Sequence, residues 1–316
     1  MNKYIFLAIL FIFSNSFSIT IEKQIKVSGG VLDIVNYQNN LIVSTEKGTV
    51  EILDKKSGKL IRKLTLPKFE DFMGGYQPPK VFSVDISPSG KTIAMITEAT
   101  GGNREFYVEQ DNKLIKIIPA NANLQLTKLR FFSDDLVILT TKGDELILLD
   151  LKSRKYVYRT QIGNYSFGDM ALCDDKNRLV IGDEGGTAYL VDVKSGRLIR
   201  KFDKVNVDQI YRVDCKSGKI LTGGRDRRVG YYDINTGSYK KLEAEFIVFS
   251  VALSPSAKKG AFQYNESNDI GIYDFVIDKL TTVKGHHSTV GVMTFLSEDE
   301  LVSGSDDGKI IIWRIK

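Results

Sequence analysis

The chain has few of the residues from which metal and redox sites are usually built. Its 316 residues include two histidines, two cysteines and one tryptophan. The histidines are adjacent, at His286 and His287, and neither Cys-x-x-Cys nor His-Glu-x-x-His spacing occurs. Those spacings are typical of zinc sites, so their absence argues against one. Asp306, Asp307 and Gly308 match only a fragment of a calcium-binding loop. We therefore expect neither a metal nor a cofactor.

The chain also has only a small excess of charge of either sign. Lysine and arginine number 44 and aspartate and glutamate 39, which gives a formal net charge of +5. Arg225, Arg227 and Arg228 cluster in one predicted turn but lack an aromatic platform, so nucleic-acid binding is not favoured. No segment after residue 18 has the period of an amphipathic helix, which indicates an all-β chain.

The first 18 residues differ from the rest. Lys3 precedes an apolar run of ten residues, Tyr4–Phe13, and Ser16 and Ser18 flank the end of the segment. This pattern predicts a secretory signal peptide at 1–18, because the run is too short to span a membrane. An uncleaved anchor is the alternative. We expect a mature chain of one domain, 19–316, exported to a bacterial periplasm, with no membrane span after signal cleavage.

Internal repeats organise the remainder of the chain. Residues 56–64 (KSGKLIRKL) resemble residues 194–202 (KSGRLIRKF), and residues 81–90 (VFSVDISPSG) resemble residues 248–257 (VFSVALSPSA). A large apolar residue followed in six of seven units by an acid recurs about every 40 residues, a period typical of β-propellers. The seven pairs are Leu53-Asp54, Val108-Glu109, Leu149-Asp150, Val191-Asp192, Tyr232-Asp233, Tyr273-Asp274 and Trp313-Arg314. A β-sandwich would explain the short strands but not the count of seven.

The seventh unit has three strands, near 290–295, 300–304 and 309–315. The strand predicted at 20–27 has no partner in the first unit. We therefore predict that it pairs outside the third strand of unit seven, because closing the ring removes exposed sheet edges. The predicted fold is a seven-bladed β-propeller whose two chain ends share one blade.

At its C-terminal end the chain resembles the WD40-repeat family. GHHSTV at 285–290 is similar to the family's Gly-His start, and SGSDDGKIIIW at 303–313 is similar to its second strand, turn and tryptophan. The resemblance implies a structural hydrogen-bond network of His286, Ser303, Asp307 and Trp313. The same serine, histidine and aspartate could be read as a catalytic triad, but these positions are the ones the family uses to hold turns. We expect no enzymatic activity.

An insertion at 67–80 is the first candidate for a partner-binding surface. It contains Phe69, Phe72, Met73 and Tyr76, and exposed apolar clusters of this kind often mark protein interfaces. The turn that ends at Arg104 is predicted to rise from the same rim. The alternative is that the insertion folds over the central channel or covers an apolar gap.

Cys173 and Cys215 follow the first strands of units four and five at nearly equivalent positions. They form a disulfide or remain two buried thiols, and a titration of free thiols in unfolded, non-reduced protein distinguishes the two states.

Taken together, these patterns predict a monomeric, non-catalytic scaffold for protein partners. The length, leader and degenerate repeats also resemble the accessory protein L family of periplasmic nitrate reductase systems. That resemblance implies a periplasmic redox enzyme or its subunits as the partner. An envelope-assembly scaffold and a propeller lactonase are the two alternatives.

Overall fold

Seven antiparallel sheets of four strands follow one another around a central channel. The computed structural model describes residues 18–316. The predicted signal peptide therefore lies outside the described residues except for Ser18, and its cleavage stays a prediction. The all-β fold with seven blades is confirmed. Within residues 18–316, no helix has both the length and the apolar character needed to cross a membrane.

The strands are named in chain order, beginning with β1 (Ile19–Lys26). Blade 1 contains β2 (Val31–Tyr37), β3 (Asn40–Thr45), β4 (Thr49–Asp54) and β5 (Leu60–Thr65), and it is followed by a hairpin of β6 (Phe69–Glu70) and β7 (Tyr76–Gln77). Blade 2 contains β8 (Val81–Ile86), β9 (Thr92–Glu98), β10 (Arg104–Gln110) and β11 (Lys113–Ile118). Blade 3 contains β12 (Leu126–Phe131), β13 (Leu136–Thr141), β14 (Glu145–Asp150) and β15 (Lys155–Gln161).

The second half of the ring repeats this order. Blade 4 contains β16 (Phe167–Leu172), β17 (Arg178–Asp183), β18 (Ala188–Asp192) and β19 (Leu198–Phe202), and blade 5 contains β20 (Ile210–Lys216), β21 (Lys219–Gly224), β22 (Arg228–Asp233) and β23 (Tyr239–Glu243). Blade 6 contains β24 (Val251–Leu253), β25 (Lys259–Gln263), β26 (Ile270–Asp274) and β27 (Lys279–Val283). Blade 7 contains β28 (Val290–Ser297), β29 (Glu300–Ser305) and β30 (Lys309–Ile315), together with β1. Two 3-10 turns occur at Thr100–Gly102 and Ala120–Ala122.

The acid at the end of a third strand holds the turn into the fourth strand. Asp192 Oδ1 accepts hydrogen bonds from the Ser195 amide at 2.9 Å and from the Ser195 hydroxyl at 2.6 Å. Gly196 follows with a φ of +68°, a conformation that glycine adopts without steric cost. The same arrangement occurs at Asp54 in blade 1. The apolar-acid pairs therefore mark the register because their acids stabilise a tight turn.

Pairing of the two ends closes the ring, as predicted. β1 is antiparallel to β30, from Ile19 opposite Ile315 to Lys26 opposite Lys309. Arg314 Nη2 lies 2.9 Å from Glu22 Oε2 and 2.8 Å from Glu300 Oε1, so one guanidinium joins three strands of blade 7.

The apolar core lies between the blades. Each of the seven interfaces among the described residues has its own cluster of buried side chains, with members from both blades. Trp313, for example, is buried with blade 6 residues such as Ile272. Because both faces of every sheet are covered by neighbouring blades, the strands have the nearly continuous apolar sequences expected of buried sheets.

Carboxylates on the inner strands add polar links between neighbouring blades. Each of four aspartates accepts a hydrogen bond from a backbone amide at the inner strand of the next blade. The pairs are Asp33 with Val84 (3.3 Å), Asp85 with Phe131 (2.7 Å), Asp169 with Val213 (3.1 Å) and Asp214 with Leu253 (2.8 Å).

A disulfide joins blades 4 and 5. The Cα atoms of Cys173 and Cys215 are 4.7 Å apart, within the range that a disulfide requires. Both residues are buried and belong to the apolar cluster between these blades. The bond closes a loop across 42 positions of the chain.

We expect Cys173→Ala combined with Cys215→Ala to lower the free energy of unfolding by about 2–4 kcal/mol, because the cross-link no longer restricts the unfolded chain. Urea unfolding measures the change. A reducing agent should destabilise the unmodified protein and leave the double variant unaffected. Two free thiols per unfolded, non-reduced chain would contradict the bond.

Candidate partner-binding face

One face of the ring, here called the top face, carries the connections between blades and the turns between second and third strands. In blade 2 these two segments meet, because the Glu98 amide donates to the Lys80 carbonyl at 2.9 Å. The insertion at 67–80 and the turn ending at Arg104 thus rise from the same end of one blade.

The insertion is a hairpin with an ordered tip. β6 and β7 pair through Phe69 opposite Gln77 and Glu70 opposite Tyr76. Asp71 Oδ1 accepts hydrogen bonds from the amides of Met73 at 2.8 Å and of Gly75 at 2.9 Å. The sequence predicted an inserted loop, and the structure adds its conformation.

The tip of this hairpin presents apolar side chains to solvent. Phe72 is 90% exposed and Met73 is 96% exposed, and Tyr76 is exposed beside them, whereas Phe69 is half-buried. Phe72 and Met73 at the tip thus lie in solvent, and a role of the insertion in partner binding stays a prediction. Apolar side chains held in water by a defined turn favour contact with another molecule.

Arg104 lies at the same end of blade 2 and is fixed against an aromatic ring. Its guanidinium carbon is 4.0 Å from the centroid of Phe82, a cation-π geometry. Its Nη1 donates to the carbonyls of Gly102 at 2.9 Å and Asn103 at 3.0 Å. Partial burial lowers the pKa of Arg104 from its usual value, although the side chain remains cationic at neutral pH.

Aromatic residues at the top of the inner strands were not recognised as candidates from the sequence. Phe82, Tyr211 and Phe249 occupy equivalent positions two residues before Val84, Val213 and Val251, and all three are half-buried. The Tyr211 and Phe249 rings are 5.2 Å apart, and Phe246 is 6.4 Å from Phe249. Two of these residues, Phe82 and Phe249, occupy the same place in the VFSV repeats at 81–84 and 248–251, and that repeat is the signal in the sequence that identifies them.

The network predicted in blade 7 is assembled within hydrogen-bonding distance. His286 Nε2 lies 2.8 Å from Ser303 Oγ, and Trp313 Nε1 donates to the same oxygen at 2.8 Å. His286 Nδ1 lies 3.2 Å from Asp307 Oδ2, which also accepts from the His287 amide at 3.1 Å. Since Ser303 is fully buried, its hydroxyl has no access to a substrate, and the arrangement does not support a triad.

Burial sets the protonation of this network. It lowers the pKa of His286, although the carboxylate of Asp307 opposes the shift. The histidine is therefore neutral at pH 7, and below pH 6.5 the unfolded chain binds a proton that the folded chain does not. The network consequently loses part of its stabilising effect as the pH falls.

The central channel contains a second group of charges that sequence analysis did not identify. Arg130 makes two contacts with Asp33, Nη1 to Oδ2 at 3.0 Å and Nη2 to Oδ1 at 3.1 Å. Lys128 Nζ lies 2.6 Å from Asp169 Oδ1, which is also 3.3 Å from Arg212 Nη1. Arg212 Nε donates to the Gly291 carbonyl at 2.9 Å.

These contacts cross the ring. Arg130 joins blade 3 to blade 1 and also donates to Ser83 Oγ and the Val84 carbonyl of blade 2, and Arg212 joins blade 5 to blade 7. Burial would raise the pKa of Asp33, but the nearby Arg130 and Lys128 cations outweigh it and hold that pKa well below its usual range. Burial raises the pKa of Asp85 to about 6. A cavity of about 490 Å³ opens beside the group at the face opposite the top face.

Metal ligands are not gathered anywhere in the part of the chain that the structure describes. Within residues 18–316, no group of three or more histidine, cysteine, aspartate or glutamate side chains is placed to hold a metal ion.

We expect His286→Ala to lower the free energy of unfolding by about 1–3 kcal/mol, because Ser303 and Asp307 lose a buried partner. His287→Ala is the matched control, since that side chain is exposed and the backbone amide that bonds Asp307 remains. Its effect should stay below about 0.5 kcal/mol in the same urea titration. Equal effects of the two substitutions would contradict the assignment.

Asp33→Asn should destabilise the protein by about 3–5 kcal/mol at pH 7, because Arg130 is left without its carboxylate. The folded pKa of Asp33 lies below the ordinary value of 3.8, so its stabilising effect is present above that pH and is lost as the pH falls further. The difference in melting temperature between the two proteins should therefore shrink between pH 5 and pH 2. A constant difference would contradict the ion pair.

Comparison with known proteins adds two findings. Residues 277–314 match the family model described as "WD domain, G-beta repeat". The chain is also 22% identical over 206 residues to "Shk1 kinase-binding protein 15" of Schizosaccharomyces pombe, an alignment that covers 64% of this chain and 54% of that protein. The chain thus spans about half the length of this curated relative.

The matched segment includes β27 of blade 6, β28, β29 and all but the last residue of β30, and it contains all four residues of the network. The six other blades have the same strand order without its tryptophan. The chain is therefore a seven-bladed β-propeller with a match to the WD40 repeat model in its last blade.

Proposed function

We propose that this protein is an exported, non-catalytic scaffold that binds a protein partner through its top face. The observation that carries the proposal is the hairpin tip, where Phe72 and Met73 are almost fully exposed on a turn held by Asp71. Rigid frameworks that carry exposed loops are a common basis for recognition. Phe82, Arg104 and the hairpin belong to the same end of blade 2 and would extend the contact.

The comparisons support a binding role in general terms. WD40 repeats are typical of protein-interaction scaffolds, and the fission yeast relative is named as a kinase-binding protein. At 22% identity, and with about half of the relative aligned, the kinase itself is not carried over as a partner. The support is for protein binding as a class of activity.

Export is part of the proposal. It is supported by the charged and apolar pattern of the first 18 residues. The bond between Cys173 and Cys215 adds independent support, because disulfides persist mainly in oxidising compartments such as the periplasm.

We expect Phe72→Ser combined with Met73→Ser to reduce partner capture at least tenfold while the melting temperature changes little, because both side chains are exposed in the free protein. Tagged protein expressed in its native cells provides the measurement, with captured proteins quantified by mass spectrometry. Deletion of residues 71–77 should have the same effect.

Leu60→Ser combined with Ile61→Ser is the matched control. It removes two exposed apolar side chains, 52% and 58% exposed, from the outer strand of blade 1. Capture should then be unchanged. If the hairpin variant captures the same proteins in the same amounts, the hairpin is not the binding site.

The narrower hypothesis, an accessory role in periplasmic nitrate reductase maturation or electron transfer, is supported by the layout of the chain alone. Capture of the reductase or its subunits is the result expected from it. Capture of envelope-assembly proteins would instead favour a scaffold of that kind. Hydrolysis of a lactone by the purified protein would overturn the non-catalytic assignment.

A further inference from the structure

The two most similar segments of the chain form the outer strands of blades 1 and 4. KSGKLIRKL ends in β5 and KSGRLIRKF ends in β19, and each is the last strand in its sheet. Both present an exposed aliphatic pair. Leu198 and Ile199 are 45% and 52% exposed, and Leu60 and Ile61 are exposed to a similar extent. Nearly the same sequence is thus displayed twice on the rim of the ring.

The electrostatic surroundings of the two strands differ. In blade 1, Arg62 lies 2.7 Å from Glu109 of blade 2, and Lys63 lies 3.8 Å from Glu51. The corresponding residues of blade 4 are Arg200 and Lys201. Within residues 18–316, neither has a carboxylate oxygen within 4.0 Å.

The cations of β19 bind neutral groups instead. Arg200 donates to the carbonyls of Ile234 and Asn235, both at 3.2 Å. Lys201 Nζ lies 5.3 Å from the centre of the Tyr189 ring. Arg197, just before the strand, is exposed and also lacks an ion-pair partner among the described residues. The cations at the edge of blade 4 are therefore not neutralised by ion pairs, whereas Arg62 and Lys63 at the edge of blade 1 are paired with acids.

The neighbouring edge strengthens this field. β15 of blade 3 contains Lys155 and Arg159 and no acid, and its Tyr156 and Val157 are exposed. Glu145 neutralises Arg159 at 2.7 Å, whereas Lys155 has no carboxylate within 4.0 Å among residues 18–316. Basic charge and exposed apolar surface thus continue from blade 4 onto blade 3.

We propose that an extended acidic segment of a partner protein adds to β19 as a fifth strand of blade 4. The outward N–H and C=O groups of this last strand are available for pairing, which is the usual basis of strand addition. The β-bulge at Ile199 places Lys201 and Leu198 on the same face of the sheet, because they pair with Tyr189 and Val191 of β18. Acidic side chains of the segment contact Lys201 and, just before the strand, Arg197, while apolar side chains contact Leu198 and Ile199.

The geometry favours a polypeptide over the other polyanions. A strand edge offers alternating donors and acceptors along one line, and only another backbone matches that pattern over several residues. A bilayer or a nucleic acid would satisfy the charges but not the backbone groups. The site lies on the rim rather than on the top face, so it is independent of the proposed docking at the hairpin.

The test uses a fluorescent nine-residue peptide in which two glutamates and two valines follow each other in turn, so that each face of the added strand carries both residue types. It is titrated with the full chain at about 0.15 M salt. We expect Arg197→Glu combined with Lys201→Glu to weaken binding at least tenfold. Lys59→Glu combined with Lys63→Glu makes the same change of charge in blade 1 and should weaken it less than twofold. Hydrogen exchange should slow in 198–202 on addition of the peptide and stay unchanged in 60–65.

Several outcomes would overturn the proposal. The first is an equal loss of peptide affinity in the two variants. The second is equal binding of a peptide with lysine in place of glutamate. The third is hydrogen exchange that slows only at residues outside β19. Binding to phosphatidylserine vesicles that depends on Arg197 and Lys201, without peptide binding, would assign the surface to lipid. Melting temperatures of both variants verify that the ring is intact, and the single change Lys201→Gln provides a milder variant.

Discussion

Each blade of this protein is stable only because another blade covers it on either side. A twisted four-stranded sheet that is apolar on both faces cannot bury either face alone, so every interface contributes a cluster to which two blades supply residues. The inner-strand aspartates add directed hydrogen bonds to this packing, since Asp33 and Asp169 accept from backbone amides of the next blade. The apolar contacts supply most of the free energy, and the polar contacts fix how the blades are aligned.

This division of roles leaves chemically different surfaces on one rigid frame. The top face displays aromatic and apolar side chains, the channel holds buried ion pairs, and the outer strands are basic. Among the strands of residues 18–316, each outer strand carries one or two lysines or arginines, and acids occur there only at Glu22 and Glu243. The buried pairs of the channel contribute little net energy, since desolvation offsets attraction, but an unpaired member would be costly. They link inner strands of blades that are not neighbours in the ring.

Much of this fold could be predicted from sequence because the information is local and repeated. The apolar-acid pairs revealed the period, and the structure gives their physical reason in turns such as that of Asp192 and Ser195. The closure by β1 followed from one strand without a partner and one sheet lacking a strand. The blade 7 network followed from the resemblance, since its four residues occupy a single well-preserved repeat.

What could not be predicted depends on neighbours that are distant in the chain. Arg130 and Asp33 are 97 positions apart and belong to blades that are not adjacent, so no periodicity connects them. The sequence could not decide whether Cys173 and Cys215 are bonded, because the distance between them depends on the angle between two neighbouring blades. Arg62 and Arg200 occupy matching sequences, yet Arg62 has a carboxylate partner and Arg200 does not. The reason is that the partner of Arg62, Glu109, belongs to another blade.

The pairing of β1 with β30 also orders the events of folding. Glu22 and Arg314 are 292 positions apart, so the sheet that contains both assembles only after the six intervening blades have been synthesised. Until then, one side of β30 and both apolar surfaces at the gap in the ring remain open. Loop-closure entropy makes so remote a pairing slow relative to the hairpins within blades. A chain in this state is an incomplete ring with apolar surface exposed at its gap, and it is therefore prone to aggregate. A chaperone that covers the gap would raise the yield of native protein more than one that accelerates the folding of any single blade.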